Sequence, residues 1–324
     1  MHSSDNDRMT DPTCDMHIAV IGLNHVTAPL SVREGIAFSN EEAVDALRRL
    51  LEIDDVSECV LLSTCNRTEV YLVGSDPEET LRIAADTLDN AKNKRVLRNT
   101  EWIYTYAGGS AVDHLFKVAT GLDSLMVGEA QILTQLKNAY DLACNSRHVG
   151  LVLNRLFQAA LHAGKRARTE TDIGVGAVSI SSAAVGLTEK VFDDLTERTA
   201  LLVGAGETAR LAAEHLVERG IGALIIANRS KERADRLAQR FGASVIPLDS
   251  RVAALSFTDI LISATSSPTI LFAAADISTA MHHRARRPLL AIDLAVPRDI
   301  DPGVHRIENV FLYDIDALGI MVEQ

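Results

Sequence analysis

Cys65 lies in a short polar segment whose residue types suit nucleophilic chemistry. Residues 63–67, with the sequence STCNR, separate the apolar runs 59–62 and 70–73. We therefore expect two strands and a thiol presented to solvent in the turn between them. A hydroxyl, an amide and the Arg67 guanidinium beside the thiol could stabilise a thiolate or bind an anion. The alternative is a plain hairpin turn, in which Asn66 supplies the tight backbone conformation.

A nucleotide-binding motif occupies residues 199–219 in the second half of the chain. An apolar run ends at Val203, glycines follow at positions 204 and 206, and a helical pattern then extends to Arg219. Gly204 permits the tight turn, Gly206 lets the backbone approach a pyrophosphate, and the helix N-terminus supplies N–H groups. The predicted cofactor contacts are Gly204, Ala205, Gly206, Glu207, Thr208, Ala209, Asn228, Arg229 and Ser230.

The residues after the second strand of this motif favour one nicotinamide cofactor. An NAD enzyme usually has an acid there to bind the ribose hydroxyls. This chain instead has Asn228, Arg229 and Ser230. A guanidinium and a hydroxyl suit a 2′-phosphate, so NADPH is favoured over NADH. The alternative is an ordinary helix start, with Ser230 as the N-cap and Arg229 solvated.

The remaining patterns divide the chain into two domains of mixed α/β class. Strands at 16–22 and around Cys65 alternate with helices at 41–51 and 79–91, which predicts a compact N-terminal α+β catalytic domain. Strands at 223–227 and 259–264 with helices between them predict a Rossmann-type, doubly wound parallel sheet. We expect a disordered tail at 1–16, a catalytic domain at 17–165, a nucleotide domain at 166–313, and the start of a helix at 314–324.

Composition narrows the class of protein further. The 324 residues are 47% apolar and 23% charged, without an apolar run long enough to span a membrane. The net charge of −12 weighs against a general nucleic-acid binder, although local basic groups occur at 92–98, 165–168 and 284–287. Four cysteines lack metal-ligand spacing, and no metal site is expected. A reducing cytoplasm fits this cysteine usage.

Five segments together resemble the glutamyl-tRNA reductase family. They have the sequences GLNHVTAP at 22–29, STCNRTE at 63–69, GLDSLMVGE at 121–129, GAGET at 204–208 and DLAVPRD at 293–299. The resemblance covers roughly residues 17–320 in the family's order. It implies NADPH-dependent reduction of glutamyl-tRNA to glutamate-1-semialdehyde, an early step of tetrapyrrole biosynthesis, with Cys65 forming a glutamyl thioester. A glutamate-1-semialdehyde aminotransferase is the implied candidate partner for the product.

The resemblance also implies which residues bind the glutamyl group. Arg67 would pair with a substrate carboxylate and favour the Cys65 thiolate. His114 would support the chemistry. The alternative for His114 is a structural role, which is more common for a helical histidine beside apolar neighbours. Glu129 and Gln131 are expected to open a helix after Gly128. The implied substrate contacts are Thr64, Cys65, Asn66, Arg67, Ser124, Glu129, Ala130, Gln131 and Gln135.

Two departures and two alternatives accompany the resemblance. The family often has proline where Ala130 stands. Its members usually continue into a helical dimerisation domain, whereas this chain stops at Gln324, so the resemblance does not decide between a dimer and another oligomeric state. One alternative is a shikimate-dehydrogenase-like NADP oxidoreductase, which would need a Lys/Asp pair and leave Cys65 idle. The other is a tRNA-binding or regulatory homologue that has lost catalysis.

Overall fold

The computed structural model describes residues 16–174, 179–284 and 286–323. The first half forms a four-stranded sheet in the order β2-β3-β1-β4 with helices on both faces. Its elements are β1 (His17–Asn24), α1 (Leu30–Arg33), α2 (Asn40–Leu51), β2 (Val56–Ser63), β3 (Arg67–Gly74), α3 (Pro77–Ala91), β4 (Tyr104–Ala107), α4 (Gly109–Thr120), α5 (Gln131–Asn145) and α6 (Leu151–Glu170).

The predicted strands and helices of this half are confirmed. Strands β2 and β3 pair antiparallel, with Ser63 opposite Thr68, so the Cys65 segment is the turn of a hairpin. Every residue of β3 is buried, because helices cover both faces of the sheet and the strand pairs on both edges. Helix α2 begins with a reciprocal capping box between Ser39 and Glu42.

The second half forms a six-stranded parallel sheet in the order β10-β9-β8-β5-β6-β7. This confirms the Rossmann-type prediction, because the strand order reverses direction beside β5. Its elements are α7 (Ile180–Val191), β5 (Thr199–Val203), α8 (Glu207–Glu218), β6 (Ala223–Asn228), α9 (Lys231–Phe241), β7 (Ser244–Pro247), α10 (Arg251–Ala254), β8 (Ile260–Ser263), α11 (Ala274–His282), β9 (Leu289–Asp293), β10 (Val310–Asp314) and α12 (Ile315–Glu323).

Two of the predicted domain limits lie in or beside helices. Helix α6 continues to Glu170, so a boundary at 165 would fall inside a helix. Helix α12 starts directly after β10, where the sequence predicts the start of a helix. Of the tail predicted at 1–16, residues 1–15 lie outside the described residues. In the described parts of the chain, no helix has both the length and the apolar character needed to cross a membrane.

Candidate active site

The turn that carries Cys65 is held by hydrogen bonds from its own residues. The Thr64 N–H donates to the carbonyl oxygen of Arg67 at 2.8 Å, and Thr64 Oγ1 accepts from the N–H groups of Asn66 and Arg67, both at 3.2 Å. The Asn66 carbonyl also accepts from the His25 N–H at 2.9 Å. These contacts fix the Cys65 backbone between the ends of β2 and β3.

The prediction that the Cys65 thiol is presented to solvent is wrong. Cys65 is half-buried and packs against apolar residues of the second domain. Burial raises the pKa of its thiol to about 12, and the negative charge of Glu129 adds to the increase. The positive charges of Arg33 and Arg67 lower that pKa. With this pKa the thiol is protonated at neutral pH.

Arg67 is a buried guanidinium that pairs with two carboxylates. Its side chain is 1% exposed, and Nη1 donates to Glu69 at 2.6 Å and to the Asp123 carboxylate at 2.8 Å. Nη2 donates to the main-chain oxygen of Asp123. A carboxylate from this chain thus already occupies one side of the guanidinium that the sequence assigns to a substrate carboxylate.

Glu69 is the centre of a buried polar network behind Arg67. Its carboxylate accepts from the hydroxyls of Tyr71 and Tyr104, each at 2.5 Å, and lies 3.0 Å from His114 Nε2. Burial alone would raise the pKa of Glu69, but the charge of Arg67 and these hydrogen bonds hold it well below its usual range. Glu69 is therefore an ionised carboxylate at neutral pH.

Three residues of this network have side-chain atoms close enough together to be considered as metal ligands. One ligand atom each from Glu69, His114 and Asp123 lies within 4.8 Å of the others. Arg67 Nη1 donates to both carboxylates of this group. The guanidinium therefore already supplies the positive charge that a metal ion would bring, and the group does not fit a cation site.

A small polar cavity lies beside Cys65. Its volume is about 10 Å³, which leaves room for about one water molecule. The buried Ser124 Oγ and Glu129 Oε1 have no hydrogen-bond partner among the described residues. Such atoms are costly to bury without a partner, so they indicate a ligand site. The lining residues are Thr64, Cys65, Asn66, Arg67, Ser124, Glu129, Gln131, Ile132, Gln135 and Ile180.

Most of the predicted substrate contacts meet in this cavity, but three details differ from the prediction. Ala130 is exposed and does not line the cavity, and His114 lies behind Glu69. Of the two residues expected to open a helix, Gln131 is the first residue of α5, whereas Glu129 precedes the helix, because its N–H closes a turn onto the Met126 carbonyl at 3.0 Å. Burial raises the pKa of Glu129 to about 7, although the Ile180 N–H and the positive charge of Arg168 both lower it.

The cavity reaches the second domain through two contacts. Gln131 Nε2 donates to Thr208 Oγ1 at 3.1 Å, and Ile180 from helix α7 forms part of the wall. The hydroxyl of Ser181 in turn donates to the Thr208 carbonyl at 3.1 Å. The cysteine cavity therefore abuts the start of α8, which follows the glycine turn.

A larger cleft of about 530 Å³ lies at the carboxyl ends of the parallel strands. Gly204 has φ +115°, and a Cβ there would lie 2.3 Å from the Ala264 carbonyl oxygen. A Cβ on Gly206 would meet no atom of the described residues within 4 Å, so that glycine leaves the backbone open to a ligand. The lining residues are Gly204, Ala205, Gly206, Asn228, Arg229, Ser230, Arg233, Leu248, Ala264, Thr265, Ser266, Ser267 and Leu271.

The structure places the predicted cofactor residues in two groups. Six of the nine line the cleft, whereas the side chains of Glu207, Thr208 and Ala209 do not. Glu207 pairs with Arg210 at 2.7 Å, and Ala209 is fully buried in the core. Ser230 caps α9 by accepting from a backbone N–H at 3.3 Å, so the alternative interpretation of Ser230 as an N-cap is confirmed. Ser230 is also one of the residues that line the cleft, and its hydroxyl donates to Glu232 at 2.8 Å.

Sequence reasoning missed seven residues of this cleft, among them Arg233 and Thr265. Arg233 lies in the first turn of α9, four positions after Arg229, and that spacing was the available signal. Thr265 follows β8, and Asp299 orients it by accepting from its N–H at 3.1 Å and its hydroxyl at 2.7 Å. Asp299 lies 34 positions from Thr265, so no local sequence pattern indicates their contact.

The second domain is a parallel sheet with a glycine-lined cleft, and the first domain holds a cysteine in a polar cavity. Together they define a two-domain oxidoreductase that uses a pyridine nucleotide. Comparison with known families agrees with this class. Residues 21–171 match the family model described as "Glutamyl-tRNAGlu reductase, N-terminal domain", and residues 186–321 match "Shikimate / quinate 5-dehydrogenase".

Individual relatives extend over nearly the whole chain. The glutamyl-tRNA reductase of Desulfatibacillum aliphaticivorans is 43% identical over 309 residues, which cover 95% of this chain and 71% of that protein. The glutamyl-tRNA reductase of Syntrophobacter fumaroxidans is 44% identical, with 95% and 67% covered. The solved Methanopyrus kandleri glutamyl-tRNA reductase is 39% identical, with 94% and 73% covered and a TM-score of 0.47. The chain belongs to the glutamyl-tRNA reductase family.

Proposed function

We propose that the protein reduces glutamyl-tRNA to glutamate-1-semialdehyde for tetrapyrrole synthesis, with Cys65 as the nucleophile. The observation that supports this most directly is the cavity beside Cys65, which adjoins the nucleotide domain. Two buried polar atoms of its lining residues have no hydrogen-bond partner in the described parts of the chain. A thiol so placed forms a covalent acyl intermediate, which divides one difficult displacement into two easier steps.

The proposed first step is acyl transfer from the ester to sulfur. The Cys65 thiolate attacks the ester carbonyl carbon, a C–S bond forms, and the ester C–O bond breaks. The ribose oxygen of the tRNA leaves and takes up a proton. A reduced nicotinamide, when bound, would supply a hydride to the thioester carbon, and the C–S bond would then break to release the aldehyde and return the Cys65 thiolate. Arg33 and Arg67 stabilise the thiolate, because their positive charges oppose the effect of burial on the pKa of Cys65.

We propose that the substrate carboxylate exchanges with the Asp123 carboxylate on Arg67. Asp123 is one-third exposed whereas Arg67 is buried, so the acid can leave while the guanidinium stays. The incoming group keeps the charge-assisted hydrogen bonds that the guanidinium needs when buried. Ser124, Glu129, Gln131 and Gln135 are the proposed polar contacts for the rest of the glutamyl group, together with Thr64 and Asn66.

The site must open to admit a substrate. A cavity of about 10 Å³ cannot hold a glutamyl group. Ile180 and the Gln131–Thr208 hydrogen bond form the part of the wall that belongs to the domain contact. We therefore propose that the two domains separate at this contact when glutamyl-tRNA binds.

His114 does not line the cavity, so we propose that it acts through Glu69 and Arg67. Its Nε2 lies 3.0 Å from Glu69, and its ring lies against Tyr104 and Tyr106 with centroids 5.1 and 4.9 Å apart. A histidine held in this way stabilises the carboxylate that fixes Arg67. This makes His114 a positioning residue for the guanidinium.

We propose NADPH as the cofactor, because Arg229 and Arg233 line the same cleft as Ser230. Two guanidinium groups suit a 2′-phosphate, and no acid among the lining residues would repel it. The variant Arg229→Ser/Arg233→Ser is expected to weaken NADPH binding by about tenfold to 100-fold and to leave NADH binding within about twofold. Equal weakening of both cofactors in a titration would contradict this assignment.

Two further expectations of the sequence are also proposals. We propose a glutamate-1-semialdehyde aminotransferase as the acceptor of the labile product. We propose a cytoplasmic location, because Cys65 must stay reduced to act as a nucleophile. Size measurement with light scattering decides the oligomeric state.

The activity is tested with glutamyl-tRNA and NADPH under multiple turnover. The variant Cys65→Ser is expected to lose aldehyde formation by at least about 1,000-fold, because a neutral hydroxyl is a far weaker nucleophile than a thiolate. Cys144→Ser is the matched control, since Cys144 is an exposed free thiol, and it should act like the wild type. Activity of Cys65→Ser with shikimate and NADP would instead support the dehydrogenase alternative.

A further inference from the structure

Two neighbouring residues of the first domain each pair with an opposite charge in the second. Glu34 accepts from Arg298 at 2.6 and 2.9 Å. Arg33, immediately before it at the end of α1, pairs with Asp316 in the first turn of α12. The two bridges begin at adjacent positions, but only one of them also touches the Cys65 turn.

Arg33 is the buried member of these bridges, with a side chain that is 2% exposed. Its Nη1 donates to the main-chain oxygen of Cys65 at 2.5 Å, and its Nε donates to the Ala28 carbonyl at 3.1 Å. Its Nη2 donates to the Asp316 carboxylate, which also accepts from the Leu30 N–H at 3.1 Å. One guanidinium therefore connects the backbone of Cys65 to a helix that lies more than 250 residues later.

We propose that Arg33 is a positioning residue for the Cys65 turn and that its pair with Asp316 makes the reactivity of the thiol depend on the docking of α12. This inference adds to the proposed function, in which Cys65 is the nucleophile. A planar, permanently charged guanidinium suits the role, because it can hold the Cys65 carbonyl and the Asp316 carboxylate at once.

The electrostatic consequence has a definite sign. The charged groups that face the Cys65 thiol are Glu129, Arg33 and Arg67. Asp316 compensates part of the Arg33 charge. Removing the carboxylate should therefore strengthen the field that favours the thiolate, whereas removing the guanidinium charge should weaken it. A residue that only braced the two domains would not give opposite effects.

The test measures how fast iodoacetamide alkylates Cys65 at fixed pH between 7 and 9, followed by peptide mass spectrometry. Asp316→Asn is expected to react about fivefold faster than the wild type, and Arg33→Gln about fivefold slower. Glu34→Gln is the matched control, because it removes the neighbouring bridge without touching the turn. It should stay within about twofold of the wild-type rate.

Each outcome decides the proposal. Rates that rise in both Arg33→Gln and Asp316→Asn would mean that opening of the domain contact controls access, and they would overturn it. Rates for Arg33→Gln and Asp316→Asn that equal the wild-type rate would also overturn it. If Arg33→Gln does not fold, Asp316→Asn must still react faster than Glu34→Gln. Alkylation needs no tRNA or nucleotide, so this order holds even if the proposed reduction fails.

Discussion

The buried ion pair between Glu69 and Arg67 leads to a specific stability prediction. Glu69 is fully buried and Arg67 is 1% exposed, with 2.6 Å between their charged atoms. The variant Glu69→Gln keeps the shape of the side chain but removes its charge. Arg67 would then retain only the Asp123 carboxylate, which is one-third exposed.

The expected cost follows from the burial of both partners. Removing one member of a buried ion pair leaves an uncompensated charge, which destabilises a protein by about 3–5 kcal/mol. Tyr71→Phe is the matched control, because it removes one hydroxyl that donates to the same carboxylate at 2.5 Å. Loss of a hydrogen bond to a charged group costs about 1.5–3 kcal/mol. The free energy of unfolding should therefore fall more in Glu69→Gln than in Tyr71→Phe.

Urea unfolding monitored by circular dichroism measures these free energies. The pH dependence gives a second, signed result, because the pKa of Glu69 is held below its usual value of 4.5. The advantage of the wild type over Glu69→Gln should be full above pH 4.5 and should shrink as the pH falls further. A loss below about 1 kcal/mol, or an advantage that grows in acid, would refute this account of the pair.

Two further predictions concern the nucleotide cleft and the cysteine cavity. Gly204→Ala should unfold at a lower temperature than the wild type, because its Cβ would lie 2.3 Å from the Ala264 oxygen. Gly206→Ala should melt like the wild type but lose nucleotide affinity in a fluorescence titration, because a Cβ there meets no atom of the described residues within 4 Å. Equal melting temperatures of the two variants would contradict this prediction. Burial raises the pKa of Glu129 to about 7 from 4.5, so its ionisation should lower the free energy of unfolding by at most about 3 kcal/mol as the pH rises from about 5 to 8. Glu129→Gln should remove that part of the pH dependence in urea titrations, and an unchanged slope would count against it.

Local patterns predicted the parts of the fold that depend on neighbouring residues. The hairpin around Cys65 follows from two apolar runs separated by a polar turn, and the nucleotide domain follows from a strand, a glycine turn and a helix. Arg229 was assigned to the cleft by its position after the second strand, and the structure places it there.

The parts that local patterns missed depend on contacts between distant segments. Asp123 reaches Arg67 across 56 positions, and Ile180 closes the cysteine cavity from the other domain. Such contacts determine whether a thiol is exposed, so the turn was predicted correctly and the exposure of Cys65 was not. The same reason applies to Arg33, whose partner Asp316 lies 283 positions away.

The central claim is that Cys65 forms a glutamyl thioester. The most direct measurement incubates the protein with glutamyl-tRNA in the absence of NADPH and searches by intact and peptide mass spectrometry for an adduct on Cys65. We expect one glutamyl group on the Cys65 peptide, absent in Cys65→Ser and discharged when NADPH is added. An unmodified Cys65 with bound glutamyl-tRNA, or an adduct on another cysteine, would contradict it.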